Sequence, residues 1–117
     1  MITGIGLDVT EIEKIRTIHT RTVKFVERIL TQKEIKKFST LTEHRQIEFL
    51  AGRFAAKEAF AKALGTGIGK DCSFQDIEIL PDELGKPVLY FKEKEVNGFV
   101  SITHTKQFAA AQVVLVE

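Results

Sequence analysis

One cysteine, two prolines, one tyrosine and no tryptophan occur among 117 residues, and each shortage excludes something. Cys72 alone can form no internal disulfide, so a crosslinked secreted scaffold is not expected. Few prolines, with 44% hydrophobic and 28% charged residues, exclude a disordered chain. Without tryptophan there are few platforms for stacking bases, and a formal net charge of +1 offers no general attraction to a polyanion; a nucleic-acid partner is not expected. No apolar run approaches the ~20 residues of a membrane-spanning helix, so no membrane partner is expected either. The first residues lack the basic and apolar regions of a signal peptide. These shortages describe a cytoplasmic globular chain without repeats or linkers, and its length suits one domain over residues 1–117.

What is present is richest between Arg45 and Leu64. At ~100° per residue, Ile47, Leu50, Ala51, Phe54, Glu58 and Ala61 fall on one side of a helix, with Phe49, Ala56, Phe60 and Ala63 on the other. This predicts a long, buried central helix over about residues 43–64, apolar on two faces, with Glu58 inside an apolar stripe. An uncompensated buried carboxylate costs several kcal/mol, so Glu58 needs a partner. Lys62, four residues on, and Lys57 beside it are the cations at hand, and a Glu58–Lys62 pair is the plain structural expectation.

A second carboxylate lies near the start. Thr3, Ile5, Leu7 and Val9 form one face of a strand over about residues 2–8, and Gly4, Gly6 and Asp8 form the other. Glycines inside a strand mark the close approach of a backbone or a ligand. Asp8 alone would be read as a cap for the following helix.

Taken together, Gly6-Leu7-Asp8 and Phe54-Ala55-Ala56-Lys57-Glu58-Ala59-Phe60-Ala61-Lys62 resemble the two signature motifs of the 4'-phosphopantetheinyl transferases. Glu48 to Phe54, Gly65 to Gly69, Ser73 to Ile77 and Ser101 to Thr105 extend the likeness to the short bacterial members. The resemblance implies an α+β fold, a long central helix packed on a small, mostly antiparallel sheet. It implies transfer of the 4'-phosphopantetheine group of coenzyme A to a serine of apo acyl carrier protein, releasing adenosine 3',5'-bisphosphate. Asp8 and Glu58 would hold Mg²⁺, a hard cation suited to carboxylates. Lys62 would neutralise the pyrophosphate, and Arg53, His104 and Thr105 would contact other phosphates of coenzyme A. Asp8, Glu58 and Lys62 are thus the catalytic candidates, with the serine proton going either to Glu58 or to a metal-bound water. The short members are homotrimers with active sites between subunits, and a homotrimer is expected here.

The remaining segments are placed by pattern. Helices are expected within residues 11–38. Ile77-Glu78-Ile79-Leu80 and Val88-Leu89-Tyr90-Phe91 flank a turn rich in turn formers and should pair, as should Phe99 to Thr103 with Ala109 to Val116. Gly65-Thr66-Gly67-Ile68-Gly69-Lys70 is not a P-loop, because it closes a helix and its lysine precedes Asp71; Gly65 is instead a left-handed helix cap. His44 is read as solvated and His19 as a packed, hydrogen-bonded core residue. His104 ends a strand beside Thr105 and Lys106, where imidazole, hydroxyl and ammonium together suit a phosphate.

If residues 12–30 form one helix, Ile12, Ile15, His19, Val23, Val26 and Leu30 make its core stripe. Lys14, Ile18, Arg21, Phe25 and Arg28 then cluster on the opposite face, with Lys24 beside them. Such a basic face with apolar anchors suits an acidic amphipathic partner, and acyl carrier proteins are acidic helical bundles. The threonines at 17, 20 and 22 are the residues that would break this helix. The competing function is a non-catalytic module that docks on an acidic helical partner, with Asp8 and Glu58 merely structural.

Overall fold

The computed structural model describes residues 1–117. Strand β1 (Ile2–Glu11) leads directly into α1 (Ile12–Arg21), followed by the short α2 (Phe25–Ile29), α3 (Gln32–Ser39) and the central α4 (Glu43–Leu64). A 3-10 turn (Phe74–Asp76) introduces β2 (Ile77–Pro81), β3 (Pro87–Phe91), β4 (Lys94–Glu95), β5 (Gly98–His104) and β6 (Phe108–Val116). The class is α+β, and both expected hairpins, β2–β3 and β5–β6, are present. The strands fall into two antiparallel sheets, β1-β6-β5 and β2-β3-β4, rather than one. Strand β1 runs on to Glu11 instead of ending near Asp8 because β6 pairs with it throughout, up to Glu11 opposite Phe108.

The glycines of β1 meet the backbone of α4. A Cβ on Gly4 would lie 2.2 Å from the Ala63 carbonyl oxygen, and one on Gly6 would lie 1.8 Å from that of Ala59. Two residues of strand advance about 6.6 Å and four of helix about 6 Å, so strand and helix stay in step. Only glycine permits this distance. Asp8 is the next residue of the same face. The other face of β1 points outward, and Ile5, Leu7 and Val9 are 59%, 57% and 60% exposed.

Helix α4 is buried on both sides as its pattern predicts, but its two halves serve different cores. Ala55, Ala56, Ala59, Phe60, Ala61 and Ala63 pack with Val100, Ala111, Val113 and Leu115 of the first sheet and with Ile77, Ile79 and Leu89 of the second. Ile47, Leu50 and Ala51 pack instead with Ile12, Ile15, Phe25, Val26, Ile29, Leu30 and Phe38 of the helical lobe. Gly65 ends the helix at φ 89°, its N–H bonded to the carbonyls of Ala61 and Lys62.

Helical segments fill residues 12–39 as expected, but residues 12–30 do not form one continuous helix. Thr17 and Thr20 remain within α1, their hydroxyls donating to the carbonyls of Glu13 and Arg16 four residues back. Thr22 turns to φ −130°, ψ 100°, and the chain restarts at Phe25 as α2. The break shifts the phase of the stripe. Phe25, expected on the surface, is only 7% exposed and lies 6.3 Å from the Phe54 ring, whereas Val23, expected in the core, is 83% exposed. His19 packs edge-on against Phe38, but its buried Nδ1 has no hydrogen-bond partner.

The glycine contact yields a direct test. Gly6→Ala drives a methyl group into the Ala59 carbonyl and should lower unfolding stability in urea by about 3 kcal/mol or more. Gly69→Ala, where a Cβ meets nothing within 4 Å, should change it by less than about 0.5 kcal/mol.

Candidate functional site

Strand β1 and the C-terminal half of α4 bring Asp8, Glu58 and Lys62 together. Lys62 Nζ lies 3.3 Å from Asp8 Oδ1 and donates to the Leu7 carbonyl at 3.1 Å. Asp8 Oδ2 accepts from the Thr10 hydroxyl at 2.8 Å. Lys62 therefore reaches across to β1, where two acceptors await it, and forms no ion pair with Glu58. Half-buried Glu58 has neither an ion pair nor a hydrogen bond. Burial raises its pKa, the Asp8 charge raises it further, and Lys62 acts in the opposite sense. Asp8 does not cap α1, whose N-cap is Glu11 without a side-chain cap bond.

Lys57, the other expected partner of Glu58, points away from it. Its fully buried Nζ donates to Glu34 Oε1 at 2.6 Å, to the Ile29 carbonyl at 2.7 Å and to the Phe74 carbonyl at 3.1 Å. Glu34 Oε1 also accepts from the Thr31 N–H at 2.9 Å, and Oε2 accepts from the Ile79 N–H at 2.8 Å. The Thr31 hydroxyl in turn donates to Glu78. Burial lowers the Lys57 pKa, while the charge and hydrogen bond of Glu34 hold it up. All three ammonium protons have acceptors, and both carboxylate oxygens have donors.

Arg53 and His104 line a second cavity of about 260 Å³ with Lys37, Arg45, Glu48, Phe49, Gly52 and Ile102. The Arg53 guanidinium lies over the Phe49 ring at 4.3 Å, and its Nε is 4.0 Å from Glu34 Oε2. Burial lowers the Arg53 pKa, and Glu34 opposes that shift. Glu48 Oε2 lies 3.5 Å from His104 Nδ1 and 3.4 Å from Nε2 of exposed His44, both ion pairs when the imidazoles are protonated. Thr105 shapes the β5–β6 turn: its hydroxyl oxygen accepts from the N–H groups of Gln107 and Phe108. The hydroxyl proton remains free to donate. A larger groove of about 670 Å³, lined by Thr31, Lys33, Glu78, Tyr90 and Lys92 among others, holds none of the expected site residues.

The expected residues thus form two groups. Arg53 and Glu58 are five positions apart on α4, about 140° around the axis and 7.5 Å along it, so their side chains leave the helix on different sides. On the helical lobe, Lys14, Arg21, Lys24 and Arg28 are exposed, Ile18 is half-buried, and Phe25 is withdrawn into the core. Lys37 and Arg45 carried no signal in the sequence, because their roles depend on neighbours distant along the chain; Glu34 carried only that of the capping box Thr31-Gln32-Lys33-Glu34, which says nothing of Lys57. Glu48 had one, its i, i+4 spacing from His44.

Comparison with known proteins gives the family. The model of the 4'-phosphopantetheinyl transferase superfamily matches residues 4–114. The holo-[acyl-carrier-protein] synthase of Bacillus subtilis is 57% identical over 116 residues, covering 98% of this chain and 96% of that protein. A crystal structure of the holo-(acyl-carrier-protein) synthase of Bacillus anthracis in complex with CoA (3',5'-ADP) superposes with a TM-score of 0.87 at 50% identity, covering 98% of this chain and 96% of the other. That of the Helicobacter pylori enzyme in complex with coenzyme A gives 0.82 at 34% identity, covering 97% and 99%. The chain belongs to the 4'-phosphopantetheinyl transferase superfamily.

The two lysines of the second motif should behave differently. Lys57→Met strands Glu34 in the interior and should cost about 3–5 kcal/mol in chemical denaturation. Lys62→Met removes a partly exposed pair and should cost less than about 1 kcal/mol.

Proposed function

We propose that this chain, as one domain over residues 1–117, transfers 4'-phosphopantetheine from coenzyme A to a serine of apo acyl carrier protein in the cytoplasm. The observation that carries the reading is the apposition of Asp8 and Glu58 through the glycine contact of β1 with α4, with Lys62 paired to Asp8 alone. The relatives are named as synthases, and two of the solved ones hold coenzyme A or its adenosine bisphosphate part. This sets aside a non-catalytic docking module.

The donor set fits a hard divalent cation. Two carboxylates repel one another, Lys62 neutralises one oxygen of Asp8, and Glu58 has no counter-ion. Asp8 and Glu58 would hold Mg²⁺, which when bound offsets charge on the transferred phosphate. Lys62 supplies a second positive charge to the pyrophosphate. The serine oxygen bonds to the phosphorus that carries pantetheine as the bond to adenosine 3',5'-bisphosphate breaks, and the serine proton leaves to a base at this end of α4. Arg53, His104 and Thr105 hold the remaining phosphates of coenzyme A. Lys14, Arg21, Lys24 and Arg28 steer the acidic carrier, with Ile18 as the apolar contact that remains beside them and Val23 in place of the buried Phe25.

We also propose a homotrimer with active sites between subunits. The outer face of sheet β1-β6-β5 exposes Ile5, Leu7, Val9, Phe99 and Phe108 together, an apolar cluster of the kind that marks an interaction surface. A ring of such contacts would bring the Arg53–His104 cavity of one subunit to the Asp8–Glu58 pair of the next.

The reading is tested by weighing an apo carrier by mass spectrometry after incubation with the protein, coenzyme A and Mg²⁺. Wild type should add one phosphopantetheine, and Glu58→Gln should lose at least about 100-fold in turnover and most Mg²⁺ affinity by calorimetry, with a melting temperature unchanged or raised. Wild-type metal binding and turnover in Glu58→Gln would refute the site.

The assembly has its own test. Light scattering should give three times the 13.2 kDa chain mass, and Leu7→Lys should reduce it to one and abolish transfer. A fully active monomer would overturn the trimer.

A further inference from the structure

The stretch Ser73 to Ile77 belongs to the family resemblance yet contributes nothing to either group of site residues. Its geometry gives it a task. Helix α2 leaves its last carbonyls, those of Glu27, Arg28, Ile29 and Leu30, without partners inside the helix, as every helix C-terminus does. Here three of the four are met by side chains from elsewhere. The Gln75 Nε2 amide donates to the carbonyls of Glu27 at 2.6 Å and Leu30 at 2.7 Å and lies 3.5 Å from that of Arg28. Lys57 Nζ takes the Ile29 carbonyl. The two short contacts to carbonyl oxygens also fix which end of the amide is nitrogen.

Gln75 is itself held firmly. Ser73 and Asp76 form a reciprocal capping box around its turn. The Phe74 ring stacks on Phe54 of α4 at 5.3 Å, and the Phe74 carbonyl accepts from Lys57. Lys57 directly precedes Glu58 on α4. One rigid assembly therefore joins the helix that carries Glu58 to the end of the short helix that carries Arg28, with Lys24 at its start.

We propose that Gln75 is a positioning residue for recognition of the acidic carrier: with Lys57 it caps α2 and holds Lys24 and Arg28 at a set distance from Asp8 and Glu58. The inference rests on the reading of the α1–α2 surface as the carrier-docking face. Gln75 touches no reacting atom in this role. It acts through the backbone of α2, so its loss should affect the protein substrate and leave coenzyme A alone.

Two variants test it. Gln75→Glu keeps the shape, removes both N–H donors and sets a carboxylate against the carbonyl oxygens; Gln75→Ala removes the donors without adding charge. Both should raise KM for the apo carrier about three- to tenfold, the size expected for losing one or two such bonds. Turnover at saturating carrier and coenzyme A affinity should stay within about twofold of wild type, and amide exchange should quicken in residues 25–30 but not in α4. A rise confined to Gln75→Glu would mean plain repulsion of an acidic partner and would overturn the proposal. So would a wild-type KM in both variants, an equal loss for carrier and coenzyme A, or a raised KM with unchanged exchange. Arg21→Glu combined with Arg28→Glu, run in the same assay, separates the two readings. If that pair raises carrier KM in a salt-dependent way while Gln75 variants do not, only the capping role fails; if it too leaves KM unchanged, the docking face fails and the capping role falls with it.

Discussion

The approach of β1 to α4 is the constraint on which the other features depend. Gly4 and Gly6 sit against the carbonyls of Ala63 and Ala59 at distances no side chain would allow, so the strand lies on the helix backbone. Asp8 follows in the same alternation and arrives beside α4 without a flexible loop to carry it. The apolar half of the alternation is then turned outward, which leaves Ile5, Leu7 and Val9 exposed. One contact thus sets the position of a charged group and the existence of an uncovered sheet face.

Around the axis of α4, four charged residues meet four environments. Lys57 enters the interior, where a lysine is tolerated only if each proton is accepted, and Glu34 with two carbonyls accepts them. Glu58, one step on and about 100° around, faces Asp8 and is left without a counter-charge. Lys62 extends to β1, and Arg53 lies along Phe49 toward the other cavity. A buried ion pair is a poor source of net stability, but it is a directional one. Here it ties α2, α3 and the Phe74–Asp76 turn to the helix that bears Glu58.

Features governed by short-range pattern were legible in the sequence. The two-faced helix, the glycine face ending in Asp8, the Gly65 cap and both hairpins follow from periods of 3.6 and 2 and from turn chemistry. The motif resemblance marked Glu58 and Asp8 as a pair, which spacing alone did not. The errors came where a local choice or a distant partner decided. Thr22, one of the threonines named as breakers, did end the first helix, so the wheel drawn across it misplaced Val23 and Phe25. The i, i+4 rule offered Lys62 to Glu58, but two acceptors on β1 outweighed it. The role of Lys57 was hidden because Glu34 lies 23 residues away, across a break in the helical lobe.

The division of the expected phosphate contacts between two sides of α4 bears on why so small a chain would assemble. A 117-residue protein has one long helix, and its buried sides are committed to the two cores it joins. An extended ligand with several phosphates needs cations at separated points, and the chain presents an acid pair with one lysine at one place and Arg53, Arg45, Lys37 and His104 at another. A second chain packed on the exposed face of β1 could complete a site that neither chain forms alone. The same apolar face that would make an isolated protomer prone to stick would then be covered by the contact that completes the site.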